Sequence, residues 1–86
     1  MNLCILMGKI ISDIEFKFII NSKNKSIVEF EIETLDCNIV KLCAYNEIAD
    51  KCYALLKRNM SIIISGELMG NGNVKIFNIG NKTIKF

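Results

Sequence analysis

The chain has 86 residues, enough for one domain and not two. Its 11 basic and 9 acidic residues leave a net charge of +2. That is short of the strongly basic balance of a dedicated nucleic-acid binder, so any attraction to phosphate has to come from local patches. Hydrophobic residues make up 51% of the chain, more than one small core should need. No apolar run reaches the ~20 residues of a membrane span, and the start lacks the basic region and cleavage site of a signal peptide.

The first strand is expected over residues 2–12. Within it Leu3-Cys4-Ile5-Leu6-Met7 is apolar at consecutive positions, so both of its faces want burial. Gly8 permits a sharp bend or the close approach of another backbone. Asp13 ends the run. A second extended piece, residues 15–20, alternates Phe16 and Phe18 against Lys17, and residues 21–25 read as a polar turn. The second strand, residues 26–34, carries the clean alternation Val28-Glu29-Phe30-Glu31-Ile32-Glu33, with apolar side chains on one face and three carboxylates on the other. Leu35-Asp36-Cys37-Asn38 leads into a third strand, residues 39–45.

There the period becomes helical. Asn46 is a suitable N-cap. Ile48, Cys52, Leu55 and Leu56 recur as one apolar stripe. Glu47 and Asp50 near the start, and Lys57 and Arg58 near the end, suit the helix dipole. Asn59 can take the left-handed conformation that stops a helix. The fourth strand covers residues 61–69 and includes Ile62-Ile63-Ile64, again apolar on both faces. Gly70-Asn71-Gly72-Asn73 is a strong hairpin signal. The fifth strand runs over residues 74–78, Gly80-Asn81 interrupts, and Thr83-Ile84-Lys85-Phe86 closes the chain.

Three strands, a helix and two strands predict an all-β fold with one helix. The layout is that of the five-stranded Greek-key barrel called the OB-fold, spanning residues 1–86 as one domain. Such barrels most often carry single-stranded nucleic acid, although fold is not function. The two-sided apolar strands call for a partner surface, most simply a second copy in a homodimer or homotetramer; cover by the helix or a loop is the plainer alternative. Cys4, Cys37, Cys43 and Cys52 show no C-x-x-C spacing and there is no histidine, so neither a zinc nor a redox site is expected. Cys4 and Cys52 read as small hydrophobes, and a reduced, cytoplasmic protein is the simplest account. Three carboxylates on one strand could hold a divalent cation weakly, but we expect no metal and no cofactor. With no histidine, phosphate loop or serine elbow, we expect no catalysis.

The chain resembles the bacterial single-stranded DNA-binding proteins and their short relatives, among them a primosomal replication protein. The resemblance is carried by Asn2-Leu3-Cys4-Ile5-Leu6-Met7-Gly8-Lys9, by Asp13-Ile14-Glu15-Phe16-Lys17-Phe18 and by Ile27-Val28-Glu29-Phe30-Glu31-Ile32. Tyr45-Asn46-Glu47-Ile48-Ala49-Asp50, Leu55-Leu56-Lys57-Arg58-Asn59, Ile64-Ser65-Gly66-Glu67-Leu68 and Asn78-Ile79-Gly80-Asn81-Lys82-Thr83-Ile84 continue it. The resemblance implies an OB-fold, oligomers built on dimers, and sequence-tolerant binding of single strands by base stacking and phosphate contacts. Departures are visible too. Tyr45 matches one stacking aromatic of the family, but Ile39 stands at the other third-strand position. Both long arms are reduced to turns without an aromatic, Glu67 replaces a neutral or basic residue, and the family's acidic tail is not expected here.

The candidate nucleic-acid-binding residues are Tyr45, Lys9, Lys17, Lys41, Phe18 and Lys75. Tyr45 either stacks on a base or packs against the helix start. Phe16, Phe18 and Phe77, with Lys17 and Lys75 nearby, have the mixture that a stacking groove requires, or else are buried by alternation. Glu29, Glu31 and Glu33 project from the same outward side and either pair with the lysines or repel a polyanion. Two functions follow as alternatives. One is weak to moderate binding of single-stranded DNA in replication or recombination, with a replication protein as a possible partner. The other is a protein-interaction module that kept the barrel and lost the ligand.

Overall fold

The computed structural model describes residues 3–20 and 25–80. The expected start of the first strand at residue 2, most of the polar turn at 21–25, and the closing segment 81–86 lie outside the described residues. Six strands and one helix follow in the order β1 (Cys4–Ile10), β2 (Glu15–Ile19), β3 (Lys25–Thr34), β4 (Ile39–Tyr45), α1 (Asn46–Leu55), β5 (Ser61–Leu68) and β6 (Val74–Ile79). The strand order is β1-β5-β6-β4-β3-β2, and β1 also pairs with β3. That extra pairing closes β1, β5, β6, β4 and β3 into a five-stranded barrel, the OB-fold. The extended piece at residues 15–20 adds to it as a sixth strand, antiparallel to the first half of β3. All pairings are antiparallel except β4 with β6.

Closure turns on Gly8, which pairs with Ile62 on β5 and with Thr34 on β3. A Cβ at this position would stand 2.6 Å from the Glu33 carbonyl oxygen. Only a residue without one lets β1 bend between the two halves of the barrel.

The core follows the period-two pattern. Val28, Phe30 and Ile32 of β3 face Ala44, Leu42 and Val40 of β4, and all but the half-buried Val40 are buried. Ile10, Ile62, Ile64, Val74 and Ile76 complete the barrel interior, and Ala49, Cys52 and Leu56 cover it from the helix side. Each of the buried Val, Leu, Ile and Phe side chains contributes about 1.5–3 kcal/mol by leaving water. Burial pushes the Cys52 thiol up to about 11, so it packs as a neutral hydrophobe.

Four helix expectations need correction. Asn46 does not cap: Tyr45 occupies the N-cap position and no side chain caps the helix. Strand β4 runs into α1 without a loop, so the chain must turn within one residue, and Asn46 does this at φ 56°. The apolar stripe is Ile48, Ala49, Cys52 and Leu56, while Leu55 is 53% exposed. The helix ends at Leu55 because Leu56 turns extended to reach the core, which leaves Lys57 and Arg58 beyond it, with no basic residue in its last turn. Asn59 is left-handed, at φ 77°, but in the turn before β5 and not at the helix end.

Candidate nucleic-acid interface

Residues opposite one another in neighbouring strands share a face. The β3–β4 register pairs Ile27 with Tyr45, Glu29 with Cys43, Glu31 with Lys41 and Glu33 with Ile39, all on the side away from the barrel interior, although Cys43 is itself buried there. Lys9 of β1 stands opposite Glu33, and Lys75 of β6 lies beside Cys43. On β2, Glu15 lies opposite Glu29 and Lys17 opposite Ile27. Five of the six candidates, Lys9, Lys17, Lys41, Tyr45 and Lys75, therefore share one outward face. Phe18 does not. It is opposite the buried Ser26, on the helix side of the sheet, at 55% exposure. Neighbouring residues of a strand point to opposite faces, so Phe18 and Lys17 cannot serve the same surface. Phe16, on the Phe18 side, lies against Tyr53 of α1 with ring centroids 4.8 Å apart.

The outward face has two unlike halves. On the β2–β3 side the lysines are occupied. Lys17 Nζ donates to Glu29 Oε1 at 3.3 Å, and Lys41 Nζ lies 3.4 Å from Glu29 Oε2. Partial burial works to raise the Glu29 carboxyl, but the two ammonium groups outweigh it and hold the group below its ordinary value. Glu31 and Glu33 extend the acidic row, both exposed. Among the described residues, acidic and sulfur groups do not converge as a metal site.

On the β4–β6 side, Lys75 Nζ lies 5.3 Å from the centre of the Tyr45 ring and 5.9 Å from that of Phe77. These are cation–π distances. Tyr45 is half-buried and its backbone is fixed twice. It is the last paired residue of β4, opposite Ile27, and the extended N-cap of α1 at φ −128° and ψ 147°. Ser26 Oγ donates to the Asn46 carbonyl at 3.2 Å and ties the junction to β3. Burial, with Cys43 and Glu29 close by, raises the Tyr45 hydroxyl above its ordinary value, so at neutral pH it stays a donor. A groove of about 190 Å³ opens beside the ring, lined by Ile27, Glu29, Cys43, Met69 and the hairpin's Asn71 and Asn73. The hairpin is closed by the Met69 N–H donating to the Asn73 carbonyl at 2.7 Å, with Gly72 left-handed at φ 87°. Sequence reasoning did not find Met69, Asn71 or Asn73 as neighbours of Tyr45, because no local pattern relates a hairpin tip to the end of a distant strand. Ile27 was within reach from parity alone.

A different outer surface lies on β1 and β5. Ile5 is 70% exposed, while Leu6 packs on the core. Ile5 and Ile63 line a shallow groove with Ser65, Asn78 and Gly80.

This closed barrel, with its single helix, defines the chain as an OB-fold of the kind seen in bacterial single-stranded DNA-binding proteins. The single-stranded DNA binding protein of Thermus aquaticus superposes with a TM-score of 0.84 at 17% identity, covering 99% of this chain and 42% of that one. The SSB domain of a Synechococcus protein gives 0.80 at 13% identity, covering 94% and 96%. The small single-stranded DNA-binding protein of Streptomyces coelicolor gives 0.68 at 11% identity, covering 93% and 91%. In sequence, 60 residues, 70% of this chain, are 30% identical to a probable replication factor A 73 kDa subunit of Caenorhabditis elegans. The chain spans 9% of that subunit's length and under half of the Thermus protein's. No family model matches. The sequence resemblance thus holds at the level of fold. No helix among the described residues is long and apolar enough to cross a membrane.

Proposed function

We propose that the chain binds single-stranded nucleic acid, most simply DNA, through the outward face of β4 and its neighbours, with weak to moderate affinity and little sequence preference. One observation carries this reading: Tyr45, half-buried on a fixed backbone, presents a ring beside the ammonium of Lys75. An aromatic face next to a cation is what a base and its phosphate require. Lys9, Lys17 and Lys41 on the same face would supply further phosphate contacts. A role in replication accords with the printed name of the replication factor A relative, and a part in recombination and a replication-protein partner are proposed with it. We read the role as binding, since histidine, the usual general base near neutral pH, does not occur in the chain. Four cysteines without C-x-x-C spacing suit a reducing cytoplasm.

Titration of labelled poly-dT at low and moderate salt tests this. Single-strand slopes run at about 0.7 per phosphate neutralised. Because Glu29 holds two of the lysines, a shallow slope is expected. A sub-nanomolar complex that survives high salt would refute the weak-binding reading.

The second reading, a protein-interaction module, is favoured by the same Glu29 contacts, which remove Lys17 and Lys41 from service. Absence of binding at low salt would select it. Under either reading we propose self-association through β1 and β5. Light scattering should give the mass of two or four chains, and a 9.8 kDa particle would exclude it. Leu6→Lys should unfold the barrel and Ile5→Lys should only dissociate it.

A further inference from the structure

We propose that Phe77 and Lys75 of β6 form, with Tyr45, a second stacking position, so that a bound strand passes from β4 onto β6 and away from the glutamates of β3. The proposal rests on the nucleic-acid reading above and names its path.

The β5–β6 register slips at one point. Ser65 pairs with Asn78 and Gly66 with Ile76, so Phe77 is the extra residue of a β-bulge. A bulge re-aims one side chain without breaking the sheet, and bulges gather at sheet edges and beside functional sites. Here the outcome is two consecutive exposed residues, Phe77 and Asn78, in a strand that otherwise alternates. Phe77 is 45% exposed, so its ring is open to a ligand. Gly66 makes the slip possible, since a Cβ there would collide with the Lys75 carbonyl oxygen.

Lys75 connects the two rings. Its register partner on β5 is Glu67, yet the three ion pairs among the described residues do not include Lys75. Its ammonium instead lies within about 6 Å of both ring centres. A base arriving on either ring takes the place of that cation–π contact, and the released ammonium is then next to the phosphate that joins two stacked nucleotides. Lysines on the β3 side are held by a carboxylate; this one is held by π faces that the ligand itself can cover. Of the two halves of the outward face, β4–β6 is therefore where a polyanion meets the least opposing charge.

The test uses the whole chain carrying Tyr53→Phe, which keeps the ring against Phe16 and leaves Tyr45 the sole tyrosine in a chain without tryptophan. Oligo-dT binding is followed by Tyr45 fluorescence, a direct report of stacking. Phe77→Ala should weaken binding about 5- to 150-fold, the range for losing one stacked base. Lys75→Gln should flatten the salt slope by about 0.7, one phosphate. Phe77→Leu, which keeps the bulge filled with apolar volume, should weaken binding while thermal stability holds, and it decides the matter if Phe77→Ala unfolds. If Tyr45→Ala, followed through labelled oligo-dT because it removes the tyrosine signal, weakens binding and neither β6 change does, the path over β6 is wrong and the nucleic-acid reading stands. If the unsubstituted chain fails to bind oligo-dT at low salt, both fall.

Discussion

The two halves of the outward face hold their lysines to opposite effect. Around β3, Lys17 of β2 and Lys41 of β4 meet at one carboxylate, Glu29, and Glu31 and Glu33 continue the negative row. On β4–β6, Lys75 meets two aromatic rings although Glu67 stands opposite it in register. A count of lysines would rate the first half the better phosphate surface. Pairing geometry reverses the order, because an ammonium already shared with a carboxylate attracts a third group weakly. Position in the register, more than composition, decides what a barrel face can bind.

The largest effect is expected from the residue beneath both halves. Leu42 is fully buried between Phe30 of β3 and Val74 of β6. Leu42→Ala should cost about 2–5 kcal/mol of stability in urea titration and impair both halves at once. Next comes Tyr45→Ala, expected to weaken poly-dT binding by about 1–3 kcal/mol. Lys17→Ala should change it far less, and equal losses from the two would break the comparison. Changing Glu29, Glu31 and Glu33 together to Gln should tighten binding several-fold at low salt and steepen its salt dependence, an effect that fades as salt screens it. If affinity is unchanged, the acidic half lies away from the bound strand. If the face serves a basic protein partner, the same change should abolish that contact with DNA binding still absent.

The smallest effect is in pH. The Glu29 carboxyl is held below its ordinary value of 4.5 in the folded state. A depressed carboxyl stabilises the fold above its unfolded pKa and loses that contribution as pH falls through the folded one. Stability followed by denaturant melts should therefore drop a little more steeply below about pH 4.5 in the parent chain than in Glu29→Gln. Equal slopes would mean that the two lysine contacts are not kept in solution.

Much of this was legible in the sequence. Two-residue alternation gave β4 its observed limits, and it paired Glu29, Glu31 and Glu33 on one side with Val28, Phe30 and Ile32 on the other. Gly8 announced the bend. Alternation also separates Phe18 from Lys17, and joining them in one site ignored a rule the sequence itself displays. The helix end was not legible. Leu55-Leu56-Lys57-Arg58 has no Gly or Pro, and only the pull of the core on Leu56 ends the helix there. Nor was the bulge at Phe77, because slipping one residue needs space under Gly66 and that space exists only once β6 is in place. Alternation with Lys75 already turns Phe77 outward; what long-range packing adds is the slip that leaves Asn78 exposed beside it.

The junction at Asn46 has a consequence for the thermodynamics of binding. Because Tyr45 ends a strand and begins a helix, with the turn made in one left-handed residue, its main chain has surrendered its freedom during folding. Immobilising a rotamer-rich side chain on binding costs about 0.5–1.5 kcal/mol. Tyr45 has two side-chain torsions left to settle, whereas Lys75 has its whole flexible stem. The ordering cost of recognition at this site falls on the lysine and spares the ring, so one aromatic residue can be exchanged for another at this position without any change to the scaffold that presents it.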